Sequence, residues 1–229
     1  FCLSRGLGDV YKRQIIGTLS TTSIDSSDTY TYSIVAGSSN FNISGTSLRS
    51  SQSFNYEAAT SHSVTIRVTD SVGQYFDKAF TINVNNVNET PYGINLNNNS
   101  QQENTATDTT IGTFTSLDVD SGDTFTYSLH DTGSYPDNSN FTLSSSGVLK
   151  NSTVFNYEAK TSYSIRVRTT DAGGLTYDAT FTINVTNQNE TPTNINLSSS
   201  SISENVPTGT TIGTLSATDP DSGDTFTFS

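Results

Sequence analysis

A six-residue motif occurs twice in this chain, and the interval between its copies limits what the chain can fold into. Residues 86–91 read Asn-Val-Asn-Glu-Thr-Pro and residues 187–192 read Asn-Gln-Asn-Glu-Thr-Pro, so the copies stand 101 positions apart. The triplets Ile-Gly-Thr at 111–113 and 212–214 keep the same interval. A constant interval of this length indicates tandem repeats of about 100 residues, the usual size of a β-sandwich domain.

The repeats divide most of the chain into three segments. Residues 15–91 form repeat one without its first strand, residues 92–192 form a complete repeat two, and residues 193–229 begin repeat three. Repeat one is six residues shorter than repeat two, and the difference lies in the loop at 35–40, which matches the longer loop at 130–140. We therefore expect three domains, of which only the second is whole.

Residues 1–14 do not match the repeats. They contain the only cysteine, Cys2, and three of the ten basic residues, and they resemble translated adapter sequence. We expect this segment to be non-native and exclude it from the fold. Because the chain contains no methionine, we also expect it to be a piece of a longer protein whose signal peptide and anchor lie outside it.

Hydrophobic periodicity predicts the fold class of each repeat. In repeat two, Tyr163, Ile165 and Val167 alternate with polar residues, as half-buried strands do. No stretch has helical periodicity. The predicted strands cover residues 94–97, 110–115, 124–129, 140–143, 147–150, 162–169 and 176–186. Seven short strands separated by polar turns predict an all-β, two-sheet antiparallel sandwich of Greek-key type.

Composition excludes several function classes. The formal net charge is −12, which argues against a nucleic-acid partner because phosphate binding needs clustered Lys and Arg. A single cysteine permits no intrachain disulfide, and no apolar run approaches the ~20 residues that span a bilayer. The chain contains no nucleophile elbow, zinc-protease motif or phosphate loop, so we expect no enzymatic activity.

Oxygen-bearing side chains gather at particular turns. In repeat two they stand at Glu103, in 118–120 (Asp-Val-Asp), in 156–158 (Asn-Tyr-Glu), at Asp171 and in the linker 187–190. Turns two strands apart return to the same end of a sandwich, so several of these side chains should converge near the linker. Ca²⁺ takes six to eight oxygen ligands, and two carboxylates ~4 Å apart would otherwise repel by about 4 kcal/mol at an effective dielectric constant of ~20.

Together these motifs resemble the cadherin repeat, and most closely the cadherin-like tandem repeats of large bacterial surface proteins. The resemblance covers residues 15–229. The motifs that carry it are Glu204-Asn205, Asp219-Pro220-Asp221, Asn-Tyr-Glu where cadherins have Asp-Arg-Glu, Thr170-Asp171, and the linker Asn-x-Asn-Glu-x-Pro. Their order and fixed period make the resemblance specific. It implies tandem seven-stranded sandwiches with calcium bound between successive repeats.

The resemblance also implies a ligand set at each junction. Between repeats two and three the expected metal ligands are Glu103, Asn156, Glu158, Asn187, Asn189, Glu190, Asp219 and Asp221. Between repeats one and two they are Asn55, Glu57, Asn86, Asn88, Glu89, Asp118, Asp120 and Asp171. The first junction lacks its upstream glutamate, which would stand near position 8, and the second lacks its counterpart of Asp171.

Several positions depart from the family pattern. Asn replaces the usual Asp at 55, 86, 156 and 187, and Ser23-Ile24-Asp25 stands where repeat two has Asp-Val-Asp. We expect fewer ions or weaker binding as a result. The last acid of the segments 120–123 and 221–224 (Asp-Ser-Gly-Asp) is interpreted as turn chemistry, so Asp123 and Asp224 are not included among the ligands.

The resemblance implies calcium-dependent cell adhesion, often homophilic, by an extracellular protein anchored in a membrane outside this fragment. The expected partners are calcium, neighbouring repeats, and other cell-surface proteins or glycans. The alternative is a spacer or carbohydrate-binding module of a secreted polysaccharide-acting protein, for which Tyr135 is the best candidate contact. His62 lies at an inward strand position and His130 at a strand end, so neither indicates catalysis.

Overall fold

The computed structural model describes residues 14–22, 28–131 and 133–229. Residues 1–13, and Ser23, Ile24 and Asp25, therefore lie outside the described residues. The chain forms two compact units, of which the first ends at Asn88 and the second begins at Glu89. Within the described ranges, no helix has both the length and the apolar character needed to cross a membrane.

Repeat one contributes six strands in the part of the chain that is described. They are β1 (Ile15–Thr18), β2 (Thr31–Ala36), β3 (Phe41–Ser44), β4 (Ser47–Ser50), β5 (Ser61–Thr69) and β6 (Tyr75–Asn83). One sheet has the order β1-β4-β3 and the other has the order β2-β5-β6. Alternation along β5 turns Val64 and Ile66 inward, where they are buried with Phe41 and Leu48.

Repeat two forms two four-stranded sheets. Its strands are β7 (Gly93–Leu96), β8 (Ser100–Gln102), β9 (Thr110–Leu117), β10 (Thr126–Leu129), β11 (Phe141–Leu143), β12 (Val148–Asn151), β13 (Ser162–Thr170) and β14 (Thr176–Thr186). The sheet orders are β11-β12-β9-β7 and β10-β13-β14-β8. Most neighbours are not consecutive in sequence, so the chain crosses between the sheets as in a Greek key. The predicted all-β sandwich is confirmed.

The first predicted strand of repeat two, 94–97, corresponds to β7, and an additional strand, β8, follows it in the other sheet. Strand β7 pairs antiparallel with β9, whereas β8 pairs parallel with β14, with Ser100 opposite Asn184. The sequence analysis missed β8 because Ser-Gln-Gln is too short and too polar to show alternation. Parallel pairing brings the ends of β8 and β14 to the same end of the sandwich, and β13 begins there because it is antiparallel to β14.

The longer loop of repeat two contains a 3-10 helix, Pro136–Asn140, which the sequence analysis did not predict. Strand β10 pairs only with residues 167–170 of β13, which leaves the first half of that edge without a neighbouring strand. The Asp137 carboxylate accepts the amide of Ser164 at 2.8 Å, and the Asn138 side chain accepts the amide of Arg166 at 3.1 Å. The loop therefore protects a strand edge that would otherwise be open to pairing.

Repeat three is represented by the antiparallel pair β15 (Asn194–Leu197) and β16 (Leu215–Thr218). Its apolar side chains are largely exposed, among them Ile195 at 67% and Leu215 at 44%. The linker 187–192 runs directly from the end of β14 to this pair. The end of repeat two where β8 and β14 finish therefore lies beside the turn that follows β16.

Candidate metal centre

Three glutamates from distant parts of the chain meet at the end of repeat two. Glu103 follows β8, Glu158 precedes β13, and Glu190 lies in the linker after β14. One carboxylate oxygen from each lies within 4.8 Å of the others. We refer to these three residues as the glutamate cluster. Ionised carboxylates at this separation repel one another.

Glu103 is the most buried member of the glutamate cluster, with 0% exposure. Its two carboxylate oxygens accept backbone amides from Tyr157 at 2.7 Å and Gln188 at 2.9 Å. Tyr157 lies just before β13 and Gln188 lies just after β14. The Glu103 side chain therefore connects the end of β8 to both of these segments by hydrogen bonds. Each carboxylate oxygen keeps a lone pair that these two hydrogen bonds do not use, and that lone pair is available to a cation.

Asp221, in the turn after β16, joins repeat three to the linker. Its two oxygens accept the Asn187 side-chain amide at 2.8 Å and the Glu190 backbone amide at 2.7 Å. These two hydrogen bonds, with the Glu190 amide contributing most, lower the pKa of Asp221 although desolvation opposes them. Asp221 is therefore ionised beside the glutamate cluster.

The electrostatics of the glutamate cluster favour a cation. A backbone hydrogen bond within Glu158 lowers its pKa, but desolvation and the charges of Glu103, Glu190 and Asp221 outweigh it, so the pKa is raised. One carboxylate oxygen of Glu190 accepts a hydrogen bond from the side-chain amide of Asn104 at 2.6 Å. Its other oxygen is buried and finds no hydrogen-bond donor among the described residues. A hard divalent ion would satisfy that oxygen and remove the repulsion.

Two further acidic clusters lie at turns that follow β9 and β16. One contains Asp118, Asp123 and Asp171, and the other contains Asp219, Asp221 and Asp224. In each, one carboxylate oxygen per residue lies within 4.8 Å of the others. The pKa of Asp123 is raised, first by desolvation and then by the charges of Asp120, Asp118 and Asp171.

Four predicted ligands of the first junction lie in the first unit. Asn55 and Glu57 stand in the exposed turn before β5, where the Asn55 side chain accepts the amide of Ala58 at 3.0 Å. Asn86 and Asn88 follow β6.

The other four predicted ligands of the first junction lie in the second unit. The Glu89 amide donates to the Asp120 carboxylate at 2.8 Å, the counterpart of the bond between Glu190 and Asp221. Asp118 and Asp171 belong to the aspartate cluster described above, and Asp171 also accepts the amide of Leu175 at 2.8 Å.

The predicted asparagine ligands of the second junction are engaged in local hydrogen bonds. Asn156 accepts the amide of Ala159 at 2.6 Å through its side chain, and the side chain of Asn189 donates to the Glu190 carbonyl. The side chain of Asn187 is the one that bridges to repeat three. The sequence analysis missed Asn104, whose left-handed backbone, with φ of 56°, places its amide on Glu190. Its signal was the repeated pair Glu-Asn at 103–104 and 204–205.

Tyr135 and the two histidines make structural contacts within their repeats. The Arg166 guanidinium lies 5.7 Å from the ring centroid of Tyr135, whose hydroxyl accepts Thr180 at 3.1 Å, so this ring gives no support to carbohydrate binding. His62 stacks on Phe54 with 4.6 Å between ring centroids, at the edge of the core of repeat one. His130 lies 3.1 Å from the Arg168 guanidinium.

Comparisons with known proteins agree on one family. Residues 97–186 match the model of the cadherin domain. The human protein protocadherin Fat 4 is 30% identical over 178 residues, 73% of this chain, and human protocadherin-16 is 32% identical over 154 residues, 64% of this chain. The chain spans only 4% and 5% of the lengths of these two relatives.

Solved structures give the same fold. Human protocadherin-24 EC1-2 aligns with a TM-score of 0.60 at 18% identity, covering 78% of this chain and 92% of that one. Extracellular cadherin domains 3–6 of protocadherin gamma B2 align with a TM-score of 0.60 at 20% identity, covering 85% of this chain and 49% of that one.

The comparisons and the sandwich agree with the predicted resemblance, while the bacterial subgroup stays a prediction because both curated relatives are human. Residues 97–186 form a cadherin domain, and the chain is a segment of a cadherin-repeat protein.

Proposed function

We propose that the junction of repeats two and three binds calcium, and that the bound ions join the two repeats. The observation that carries this proposal is the convergence of Glu103, Glu158 and Glu190 beside Asp221, with a buried oxygen of Glu190 that has no hydrogen-bond donor among the described residues. Carboxylate and carbonyl oxygens are the ligands that Ca²⁺ prefers, and repeats two and three contain no cysteine. Asn156, Asn187, Asn189 and Asp219 complete the proposed ligand set.

By sequence equivalence we extend the proposal to the junction of repeats one and two. The residues concerned are Asn55, Glu57, Asn86, Asn88, Glu89, Asp118, Asp120 and Asp171. Support comes from the bond between the Glu89 amide and Asp120, which repeats the bond between Glu190 and Asp221.

The biological role that follows is non-enzymatic. Calcium would stiffen the linkers of a tandem-repeat protein, so that a partner-binding surface is held away from the cell. We propose an extracellular location and a part in calcium-dependent adhesion, with a second copy of the protein as the partner. Both curated relatives are protocadherins, which supports this assignment at the level of the family.

A calcium titration of the full chain tests the proposal. Calorimetry should detect binding, and the melting temperature should rise with calcium because the ion binds the folded state. Glu190→Ala should weaken binding about tenfold or more, since it removes a carboxylate from the glutamate cluster. Glu204→Ala is the matched control, because Glu204 is exposed and belongs to none of the acidic clusters of the described residues.

Two results would contradict the proposal. A melting temperature that does not respond to calcium or to a chelator would exclude binding to the folded state. Equal calcium titrations for Glu190→Ala and Glu204→Ala would show that any binding lies away from the glutamate cluster.

A further inference from the structure

We infer that Asp123 and Asp224 bind calcium through their own carboxylates, in addition to the ligands named above. The inference rests on the proposed function, since it adds a ligand to each of two calcium sites. It goes beyond the interpretation of these two residues as turn formers only. They do form turns, and the turns bring their carboxylates back to the preceding acids.

The backbone explains how Asp123 returns to its neighbours. Gly122 has a φ of 91°, which an L side chain rarely adopts, and the Asp123 amide approaches the carbonyl of Asp120 at 3.4 Å. The Asp118 side chain holds the start of the turn by accepting the amide of Asp120 at 3.1 Å. The turn thus reverses the chain within four residues and places the third acid beside the first.

The carboxylates of this turn contain oxygens that hydrogen bonding leaves unsatisfied. The Oδ2 atoms of Asp118 and Asp123 are both buried and have no hydrogen-bond partner in the described part of the chain. Asp171, at the β13–β14 hairpin, is 6% exposed and completes the cluster within 4.8 Å. Burying a carboxylate oxygen without a donor costs free energy that a cation would offset.

The same arrangement occurs in repeat three, where the turn sequence is nearly identical. Gly223 has a φ of 99°, and Asp221 donates its amide to Asp219 at 3.0 Å, so the turn is built in the same way. Asp224 lies within 4.8 Å of Asp219 and Asp221, and Oδ2 of Asp219 is buried without a partner among the described residues. The arrangement is therefore a property of the repeated turn sequence and is present in both repeats.

The added carboxylates restore charge that the asparagines remove. Positions 55, 86, 156 and 187 carry neutral amides, whereas Asp123 and Asp224 each contribute a negative charge from a turn in the downstream repeat. Ligand charge is one of the main determinants of calcium affinity. In addition, Asp118, Asp123 and Asp171 all belong to repeat two, so this site draws its carboxylates from one repeat.

The test compares Asp123→Asn with Asp108→Asn in the full chain. Asp108 is exposed and lies outside the acidic clusters of the described residues, so its variant controls for the loss of one charge. Calcium is the probe, followed by calorimetry and by the amide resonances of Ser121 and Gly122 in NMR spectra. We expect Asp123→Asn to weaken one site about tenfold and to reduce the shifts of these amides. In chelator its melting temperature should not fall, because the change removes repulsion.

The outcomes separate this inference from the proposed function. If the unmodified chain binds no calcium, both fail. If it binds calcium and loses affinity in Glu190→Ala, but Asp123→Asn titrates like Asp108→Asn, only the inference fails. A fall in the melting temperature of Asp123→Asn in chelator, with unchanged calcium affinity, would assign the residue to turn formation alone. Asp224→Asn provides an independent second variant for the site in repeat three.

Discussion

Asn187 affects the charge at the junction of repeats two and three. The sequence analysis treats an asparagine at this position as a weakened calcium ligand. In the structure its side-chain amide donates to Asp221 at 2.8 Å, which partly neutralises a carboxylate of the site. An amide can donate this bond, whereas an ionised aspartate has no donor and would place a second negative charge there. Asn187 therefore stabilises the junction without metal.

Replacing Asn187 by Asp should have opposite effects with and without calcium. In chelator the new charge repels Asp221, so we expect the free energy of unfolding to fall by about 1 kcal/mol. With calcium the added charge should raise the affinity several-fold. Thermal melting in chelator and calorimetric titration measure the two effects.

The control for this change is Asn196→Asp, which adds the same charge on the exposed strand β15. We expect it to leave both quantities nearly unchanged. A variant at position 187 that melts normally in chelator and binds calcium no better would refute the role assigned to the amide.

Strand β8 is the element whose formation depends most on tertiary contacts. It contains three residues, Ser-Gln-Gln, and pairs parallel with the end of β14. Its central residue, Gln101, is 7% exposed, and both polar atoms of its side chain are buried without hydrogen-bond partners in the described ranges. Repeat three has Ile202 at the matching position. The buried polar side chain of Gln101 therefore destabilises repeat two.

Gln101→Ile should stabilise repeat two. The change removes two buried polar atoms that lack partners and adds apolar surface to the core, so we expect a gain of about 1–2 kcal/mol. Urea denaturation monitored by tyrosine fluorescence measures it. Gln102→Ile, at an exposed position of the same strand, is the control and should show no gain. Loss of stability in Gln101→Ile would mean that the amide has partners in solution.

At the scale of the whole molecule, the question is whether calcium acts at specific sites or by screening a net charge of −12. Sodium chloride at the same ionic strength weakens repulsion between exposed charges but cannot bridge carboxylates. We expect calcium to raise the heteronuclear NOE of the linker amides of Gln188 and Asn189, and sodium chloride to leave it unchanged. Equal responses to the two salts would favour screening, and Glu190→Ala should remove the calcium response.

Local pattern allowed much of the fold and many site residues to be predicted. Glu103, Glu158 and Glu190 stood at predicted turns, and the structure brings them together. Asn104 was missed, and Asp123 was assigned to turn formation alone, because a left-handed backbone and a glycine turn decide where a short side chain points. A residue type and its spacing carry no information on that direction.

The sequence by itself determined the repeat interval, the inward faces of long strands such as β13, and the turns where acids gather. These features are local, since alternation with period two and turn residues act within a few positions. Only the tertiary structure decided that β8 pairs with β14, that Glu103 accepts the amide of Gln188, and that Asn187 bonds to Asp221. Such partners are distant in the sequence and meet through strand pairing within a sheet and through contact of the linker with repeat three, which the spacing along the chain does not encode.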